Sequence, residues 1–155
     1  MTSEEFKHSF KTPFHDSLGL AVYSSGLQRC GAGPSWGPAG RNHYTIHYIV
    51  SGRGCFDDGL KRYTLSAGDG FLFGPNQVVS YEADQEEPWE YCWVGFNGTD
   101  AARLVQETGL SRENPLFHYD KDDALKNCLN RIYDTTGSRP CDEARMLSGL
   151  LEFLS

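Results

Sequence analysis

The stretch GDGFLFGPNQVVSY, residues 68–81, decides the fold class of this chain. It predicts a tight turn, a short apolar strand, a Gly-Pro corner and a second strand, because glycine and proline separate two runs of β-forming residues. A β-barrel that holds a metal ion in its mouth often places a histidine just after such a corner, and here Val79 occupies that position. The stretch therefore indicates a barrel of short strands and raises the question of what its mouth binds.

The β pattern extends over residues 18–97. The segment HYTIHYIVSG, residues 43–52, is the strongest strand signal, because aromatic and β-branched residues are enriched in strands. Asp58-Gly59 predicts a hairpin turn, whereas the glycine- and proline-rich segment 31–42 predicts a loop. Short strands with turn signals at intervals of roughly 8–12 residues are typical of a sandwich or barrel.

The pattern changes to a helical one after Asn97. Apolar residues at helical spacing predict helices over residues 99–109, 120–137 and 141–155, the first beginning at a Thr99 N-cap and ending at Gly109. Strands followed by helices indicate a segregated α+β chain rather than alternating βαβ units. The last helix carries an apolar stripe and no closing polar tail, so we expect the chain to be part of a longer protein.

The N-terminal residues 1–17 are polar, with Phe6, Phe10 and Phe14 scattered among them. We expect them to form an arm that docks onto the body of the protein without a regular element. A further hypothesis is that this arm folds over a bound ligand.

Composition excludes several classes of protein. A length of 155 residues favours one domain, and a net charge of −7 makes the chain by itself a poor partner for nucleic acid. The five cysteines are odd in number and show no C-x-x-C spacing, which argues against a disulfide framework and a zinc knuckle and favours the reducing cytoplasm. Neither a signal peptide nor an apolar run long enough for a membrane span is found, so we predict no membrane association.

The segment WEYCWVGFN, residues 89–97, supplies a candidate ligand-binding surface. In a strand, Trp89, Tyr91 and Trp93 share one face, because successive side chains point to opposite sides. Aromatic faces with polar tips suit a small amphipathic ligand such as a sugar. The alternative is that all three rings are core residues, and the pattern alone leaves both interpretations open.

Two further residues are candidates for the same site. Arg41 precedes the strongest strand and offers a rigid five-donor fork, although a surface charge is the ordinary alternative. His43 and His47 are four residues apart and no H-x-H occurs, which argues against a metal site. We therefore expect His47 to be a hydrogen-bonded lining or core residue, and we predict no metal, cofactor or catalytic nucleophile.

Three segments carry a family likeness. Residues 33–54, 67–84 and 86–98 together resemble the effector-binding domain of AraC-type transcription regulators, in the branch that senses sugars. The resemblance implies a cupin-like barrel (a double-stranded β-helix, or jelly roll) over residues 18–98, followed by a helical dimerisation segment over 99–155. It also implies a homodimer, and contact with DNA only through a helix-turn-helix domain that is absent here.

The resemblance extends to individual residues. It implies that Arg41, Tyr81 and Trp93 contact the effector, and that Tyr91 stands where the arabinose-sensing members have a histidine, so that the identity of the sugar is open. In cupin enzymes a histidine follows a Pro-Gly corner; here Asn76 replaces the glycine and Val79 the histidine. The resemblance and the local chemistry agree that a ligand among aromatic rings takes the place of the metal.

The sequence thus predicts a non-enzymatic, sugar-sensing and dimerising module of a transcription regulator that controls sugar-utilisation genes. Two alternatives stay open. One is a metal-dependent cupin enzyme, such as an isomerase or dioxygenase. The other is a domain of the same family that binds a different small molecule or only dimerises. The predicted ligand-binding residues are Arg41, His47, Tyr81, Trp89, Tyr91 and Trp93.

Overall fold

Ten strands and two helices follow one another in the computed structural model, which describes residues 5–11, 20–134, 149 and 153–154. Nine strands precede the first helix, and a short strand separates the two helices. The elements are β1 (Phe6–Lys11), β2 (Ala21–Arg29), β3 (Gly33–Ala39), β4 (Tyr44–Ser51), β5 (Arg53–Asp57), β6 (Arg62–Ser66), β7 (Asp69–Phe73), β8 (Val79–Ala83), β9 (Glu90–Asn97), α1 (Ala101–Glu107), β10 (Leu116–His118) and α2 (Ala124–Asp134).

The strands form two antiparallel sheets. One has six strands in the order β1-β2-β9-β4-β7-β10, and the other has four in the order β3-β8-β5-β6. Strands that are neighbours in sequence, such as β4 and β5, lie in different sheets, so the chain crosses repeatedly between the two layers. The predicted fold class, a mainly β α+β chain in which a cupin-like jelly-roll barrel is followed by helices, is confirmed.

An aromatic core fills the space between the two sheets. Phe71 and Phe73 of β7 are fully buried, and the ring of Phe56 from the opposite sheet lies 4.4 Å from that of Phe71. Each such side chain contributes about 1.5–3 kcal/mol when it is removed from water. The other buried members of this core are Cys30, Ile49, Leu65, Val79, Tyr81, Ala83, Trp89 and Tyr91.

The helices pack on the outer face of the six-stranded sheet. In α2 the apolar stripe of Cys128, Leu129 and Ile132 is buried against this sheet together with Val94 of β9. The chain's own sheet therefore covers these three residues. The predicted third helix, residues 141–155, lies largely outside the described residues; Phe153 within it is buried in the same cluster.

Two segments that were predicted to lack regular structure form strands. Residues 33–39 of the predicted loop form β3, which pairs irregularly with β8 around Trp36. Glycine and proline weaken a strand in isolation, but the pairing with β8 overrides that local preference. Likewise, residues 6–11 of the predicted arm form β1, an edge strand paired with β2; proline and glycine are absent from it.

The Gly-Pro corner adopts the conformation that the sequence pattern requires. Asn76 has a φ of 62°, in the left-handed region that glycine occupies in related corners and that asparagine tolerates better than most residues. Val79, at the position discussed for a metal-binding histidine, begins β8 and is buried in the aromatic core. The corner therefore delivers an apolar side chain to the space between the sheets.

The first helix differs from the prediction at its beginning. Asp100, and not Thr99, occupies the N-cap of α1, without a side-chain hydrogen bond. Its end agrees with the sequence, because Gly109 follows with a φ of 83°, a conformation that glycine adopts without strain. Strand β10 went unrecognised, because three residues are too few to show a period.

Substitution of Gly54 tests how closely β5 approaches the core. A Cβ at this position would collide with the carbonyl oxygen of Glu82 and lie 2.5 Å from Cε3 of Trp89. We expect Gly54→Ala to lower the free energy of unfolding by about 1–3 kcal/mol in urea titration. Gly40→Ala is the control, since its nearest contact would be at 3.5 Å; equal stability of the two variants would contradict the packing.

Candidate ligand-binding site

A pocket opens between the two sheets at the end where the loop joining β3 to β4 lies. The space inside it that a water-sized sphere can occupy is about 30 Å³. Both sheets contribute side chains to it, so its shape depends on the closure of the β-body. The lining residues are Lys7, Gln28, Ser35, Trp36, Arg41, His47, Tyr81, Tyr91 and Trp93.

The aromatic residues of segment 89–93 divide between the pocket and the core. Trp93 is half-buried and lines the pocket, and Tyr91, although buried, also reaches the lining. Trp89 is fully buried, and its Nε1 donates to the hydroxyl of Ser35 at 3.2 Å. Trp89 is absent from the lining and belongs to the core, so two of the three rings line the pocket and one does not.

His47 forms the floor of the pocket. Its ring stacks on Phe71 at 4.6 Å and lies edge-on to Tyr91 at 4.7 Å. Burial, and then the positive charges of Arg41 and Lys7, lower the pKa of His47 well below its ordinary value. The imidazole is therefore neutral at physiological pH, and its buried Nδ1 has no hydrogen-bond partner among the described residues.

Two tyrosines supply hydroxyl groups beside the imidazole. Burial raises the pKa of Tyr81 to about 12, and burial also raises the pKa of Tyr91. Both phenols are therefore neutral and able to donate. The Tyr91 hydroxyl donates to Oε1 of Gln28 at 3.2 Å, which fixes the direction of its proton.

Arg41 lies over the indole of Trp36, with its guanidinium carbon 4.5 Å from the ring centroid. Trp36 itself stacks on Tyr81 at 5.7 Å and on Phe73 at 6.0 Å, so the platform under the guanidinium is anchored in the core. The Nε of Arg41 is buried without a partner among the described residues. This candidate arginine is thus held over an aromatic ring rather than left as a mobile surface charge.

Four lining residues were not identified from the sequence. Trp36 lay in the segment predicted as a loop, although a lone tryptophan between two Gly-Pro pairs was a usable signal. Lys7 lay in the predicted arm, and its Nζ is 5.7 Å from the Trp93 ring centroid. Gln28 and Ser35 carried no signal, since polar residues of these types are common on any strand.

A second cavity lies on the opposite face of the six-stranded sheet, beneath the helices. It is larger, about 300 Å³ by the same measure, but its lining is mainly apolar, and Glu107 supplies the charged group among the described lining residues. The pocket between the sheets has the more polar lining and contains five of the six predicted residues. It is therefore the better candidate for a ligand-binding site.

The described residues offer few other reactive groups. No cluster of three or more histidine, cysteine or acidic side chains suited to a metal occurs among them. Burial raises the pKa of the Cys30 thiol, and raises that of Cys92 to about 12, so neither is a ready nucleophile. In the described part of the chain, no helix is long and apolar enough to cross a membrane.

The titration of His47 should be visible in the pH dependence of stability. The unfolded chain binds a proton at this residue near pH 6.5, whereas the folded protein does so only at lower pH. The contribution of His47 to the free energy of unfolding is therefore complete above pH 6.5. It is lost as the pH falls below that value, at up to about 1.4 kcal/mol per pH unit. We expect His47→Gln to lack this loss in urea titrations between pH 7 and 5.

His118→Gln is the control, because the sign is reversed there. Hydrogen bonds to Asp120 and Asp69 raise the pKa of the exposed His118. Its contribution is present below pH 6.5 and is lost as the pH rises through the folded-state pKa. Parallel stability curves for the wild type and His47→Gln would contradict a buried neutral imidazole.

Three regulators of bacterial operons are similar to this chain. The Msm operon regulatory protein of Streptococcus mutans is 35% identical over 95 residues, which cover 61% of this chain and 34% of that protein. The raffinose operon regulator RafR of Pediococcus pentosaceus is 41% identical over 58 residues, which cover 37% of this chain and 21% of that protein. The lactose operon transcription activator of Staphylococcus xylosus is 30% identical over 87 residues, which cover 56% of this chain and 31% of that protein. The matched part of this chain thus spans about a third or less of each relative.

Solved structures of cupins are also similar. A cupin 2 conserved barrel domain protein from Salinispora arenicola has a TM-score of 0.48 and 16% identity, covering 66% of this chain and 84% of that one. A cupin superfamily protein from Desulfitobacterium hafniense has a TM-score of 0.45 and 11% identity, covering 63% and 83%.

A family model covers nearly the whole β-body and the helical segment. The AraC-like ligand binding domain matches residues 21–154. This range includes eight of the nine lining residues, all except Lys7. The chain therefore belongs to the family of AraC-like ligand-binding domains.

Proposed function

We propose that this domain senses a small sugar and passes the signal to a transcription regulator of sugar-utilisation genes. The observation that carries the proposal is the lining of the pocket, in which aromatic faces alternate with hydrogen-bonding tips. Trp93 offers a flat apolar face, while Arg41, His47 and Tyr81 offer polar atoms beside it. A sugar ring has the matching surface, with apolar C–H faces and hydroxyl groups around the edge.

The relatives support this class of ligand. The names of two of them refer to the raffinose and lactose operons. Both sugars end in a galactose ring, so galactose-terminated oligosaccharides are the first ones to test. The pocket is small and partly open to solvent, so we infer that one sugar ring lies at its mouth, with any further rings outside.

The proposal also covers the oligomeric state of the whole protein, its DNA-binding domain and its cellular compartment. We infer a homodimer through the helical segment, with the pairing surface away from the stripe of α2, because Leu129 and Ile132 are already buried in the chain. We further infer that DNA is bound by a separate helix-turn-helix domain in the cytoplasm. The relatives are regulators, which supports a binding role rather than catalysis.

A thermal-shift screen tests the sensing role directly. The domain is melted with neutral mono- and oligosaccharides, including galactose, lactose, raffinose and arabinose, together with sugar acids and sugar phosphates. A ligand at a hundred times its dissociation constant adds about 2.7 kcal/mol of stability. A shift with a sugar supports the proposal, and the absence of any shift across the panel contradicts it.

Truncation of Trp93 should remove sugar binding while leaving the fold intact. At a few tenths of a kcal/mol per heavy atom, a ring of about a dozen atoms binds with a dissociation constant between about 1 mM and tens of micromolar. We expect Trp93→Ala to weaken binding by at least about tenfold in calorimetry, because the stacking face is lost.

Tyr63→Ala is the matched control, because Tyr63 is a half-buried aromatic residue that stacks on Phe56 outside the pocket. It should bind sugar as the wild type does. Size-exclusion chromatography should show the same oligomeric state for both variants. Loss of the oligomer in Trp93→Ala, or unchanged affinity, would assign this tryptophan to the core instead.

A further inference from the structure

The charges around the pocket are of one sign. Lys7 and Arg41 are cations, and the other seven lining residues are uncharged in their ordinary or shifted protonation states. Among the described residues, no carboxylate oxygen lies within 4.0 Å of either cation. The pocket is thus a locally positive site in a chain with a net charge of −7.

Three other arginines of the same chain differ from Arg41 because each has a carboxylate partner. Arg29 pairs with Glu90, Arg53 with Asp84, and Arg62 with Glu82. Acidic residues outnumber basic ones by 21 to 14, so carboxylates are available as partners in this chain. Arg41 and Lys7 instead lie over the indole rings of Trp36 and Trp93, with their charges left uncompensated.

Buried polar atoms in the pocket also lack partners. The Nε of Arg41 and the Nδ1 of His47 are both inaccessible and unpaired among the described residues, and His47 is 2% exposed. A buried donor without an acceptor costs free energy, about 1–3 kcal/mol and more when the group is charged. The Nε of Arg41 can only donate, whereas the Nδ1 of His47 donates or accepts according to its tautomer, so the arginine is the group that calls for acceptor oxygens.

We propose that the effector carries an anionic group, the carboxylate of a sugar acid or the phosphate of a sugar phosphate. This inference rests on the sugar-sensing function proposed above and specifies the class of sugar. The guanidinium of Arg41 receives the anion, since its planar fork matches two oxygens of a carboxylate or phosphate. Lys7 adds a second positive charge from β1, while the sugar ring stacks on the indole of Trp93.

The environment of the Arg41 guanidinium favours an anionic group of the ligand over a neutral hydroxyl group. Trp36 excludes water from one face of the guanidinium, and charges interact more strongly where the local dielectric is low. The aromatic walls offer a stacking surface that a bare anion does not use, so we expect a sugar ring and an anion in the same molecule to bind more tightly than the anion alone.

Matched ligands that share one ring test the proposal. Calorimetry with the 155-residue chain compares galactose with galacturonate and galactose 6-phosphate. The same comparison is then made for glucose, glucuronate and glucose 6-phosphate. We expect one charged derivative to bind at least about tenfold more tightly than its neutral parent, with affinity falling between 50 and 500 mM salt. A preference for the carboxylate or for the phosphate identifies the source of the anion.

Variants separate charge from folding. Arg41→Gln should lower the affinity for the charged ligand to that of its neutral parent, and Arg41→Lys should recover part of the loss by restoring the charge without the fork. Arg62→Gln, which removes an arginine outside the lining, should have no effect. Equal loss in Arg62→Gln would assign the effect to stability and overturn the proposal.

The possible failures are distinguishable. Neutral and charged sugars that bind equally well would overturn the anionic class and leave the sugar-sensing function standing. Inorganic phosphate or acetate that binds as tightly as the sugar derivative would show an adventitious ion only, and would also overturn it. If no neutral or charged sugar binds, the sugar-sensing function itself is contradicted.

Discussion

The pairing of β4 with β9 at the centre of the six-stranded sheet is the constraint on which the rest of the structure depends. In this register His47 lies opposite Trp93, and Ile46 lies opposite Val94. Because side chains alternate along a strand, the first pair faces the pocket and the second faces the helices. A shift of one residue would exchange the two sets, burying polar atoms beneath the helices and emptying the pocket of its aromatic wall.

The second sheet gives the pocket its chemical character. Strands β3 and β8 bring Trp36 and Tyr81 across from His47, and the loop after β3 places Arg41 above them. Enclosure by both sheets keeps the two phenols and the imidazole neutral, since burial disfavours their charged forms. The pocket is therefore rich in neutral hydrogen-bonding groups, and its permanent charge is that of Arg41 and Lys7.

The sequence predicted those parts of the site that follow from local periodicity. The alternation in residues 43–52 and 89–97 was enough to identify the strands that carry His47, Tyr91 and Trp93. It could not separate Trp89 from them, because the distance of a residue from the mouth depends on where the strand ends in the barrel. Strands β1 and β3 were missed for a related reason, since pairing with β2 and β8 stabilises them and such non-local contacts leave no local pattern.

Strand β9 lies between the pocket and the helical layer and contacts both. Tyr91 and Trp93 face the pocket, while Cys92 between them donates through its thiol to Asn130 of α2 at 3.5 Å. Close-packed interiors do not absorb displacements, so any movement of β9 would have to be matched by the residues of α2 packed behind it. A single strand therefore separates the helices from the pocket, and a displacement of that strand would reach α2 without direct contact between α2 and a ligand.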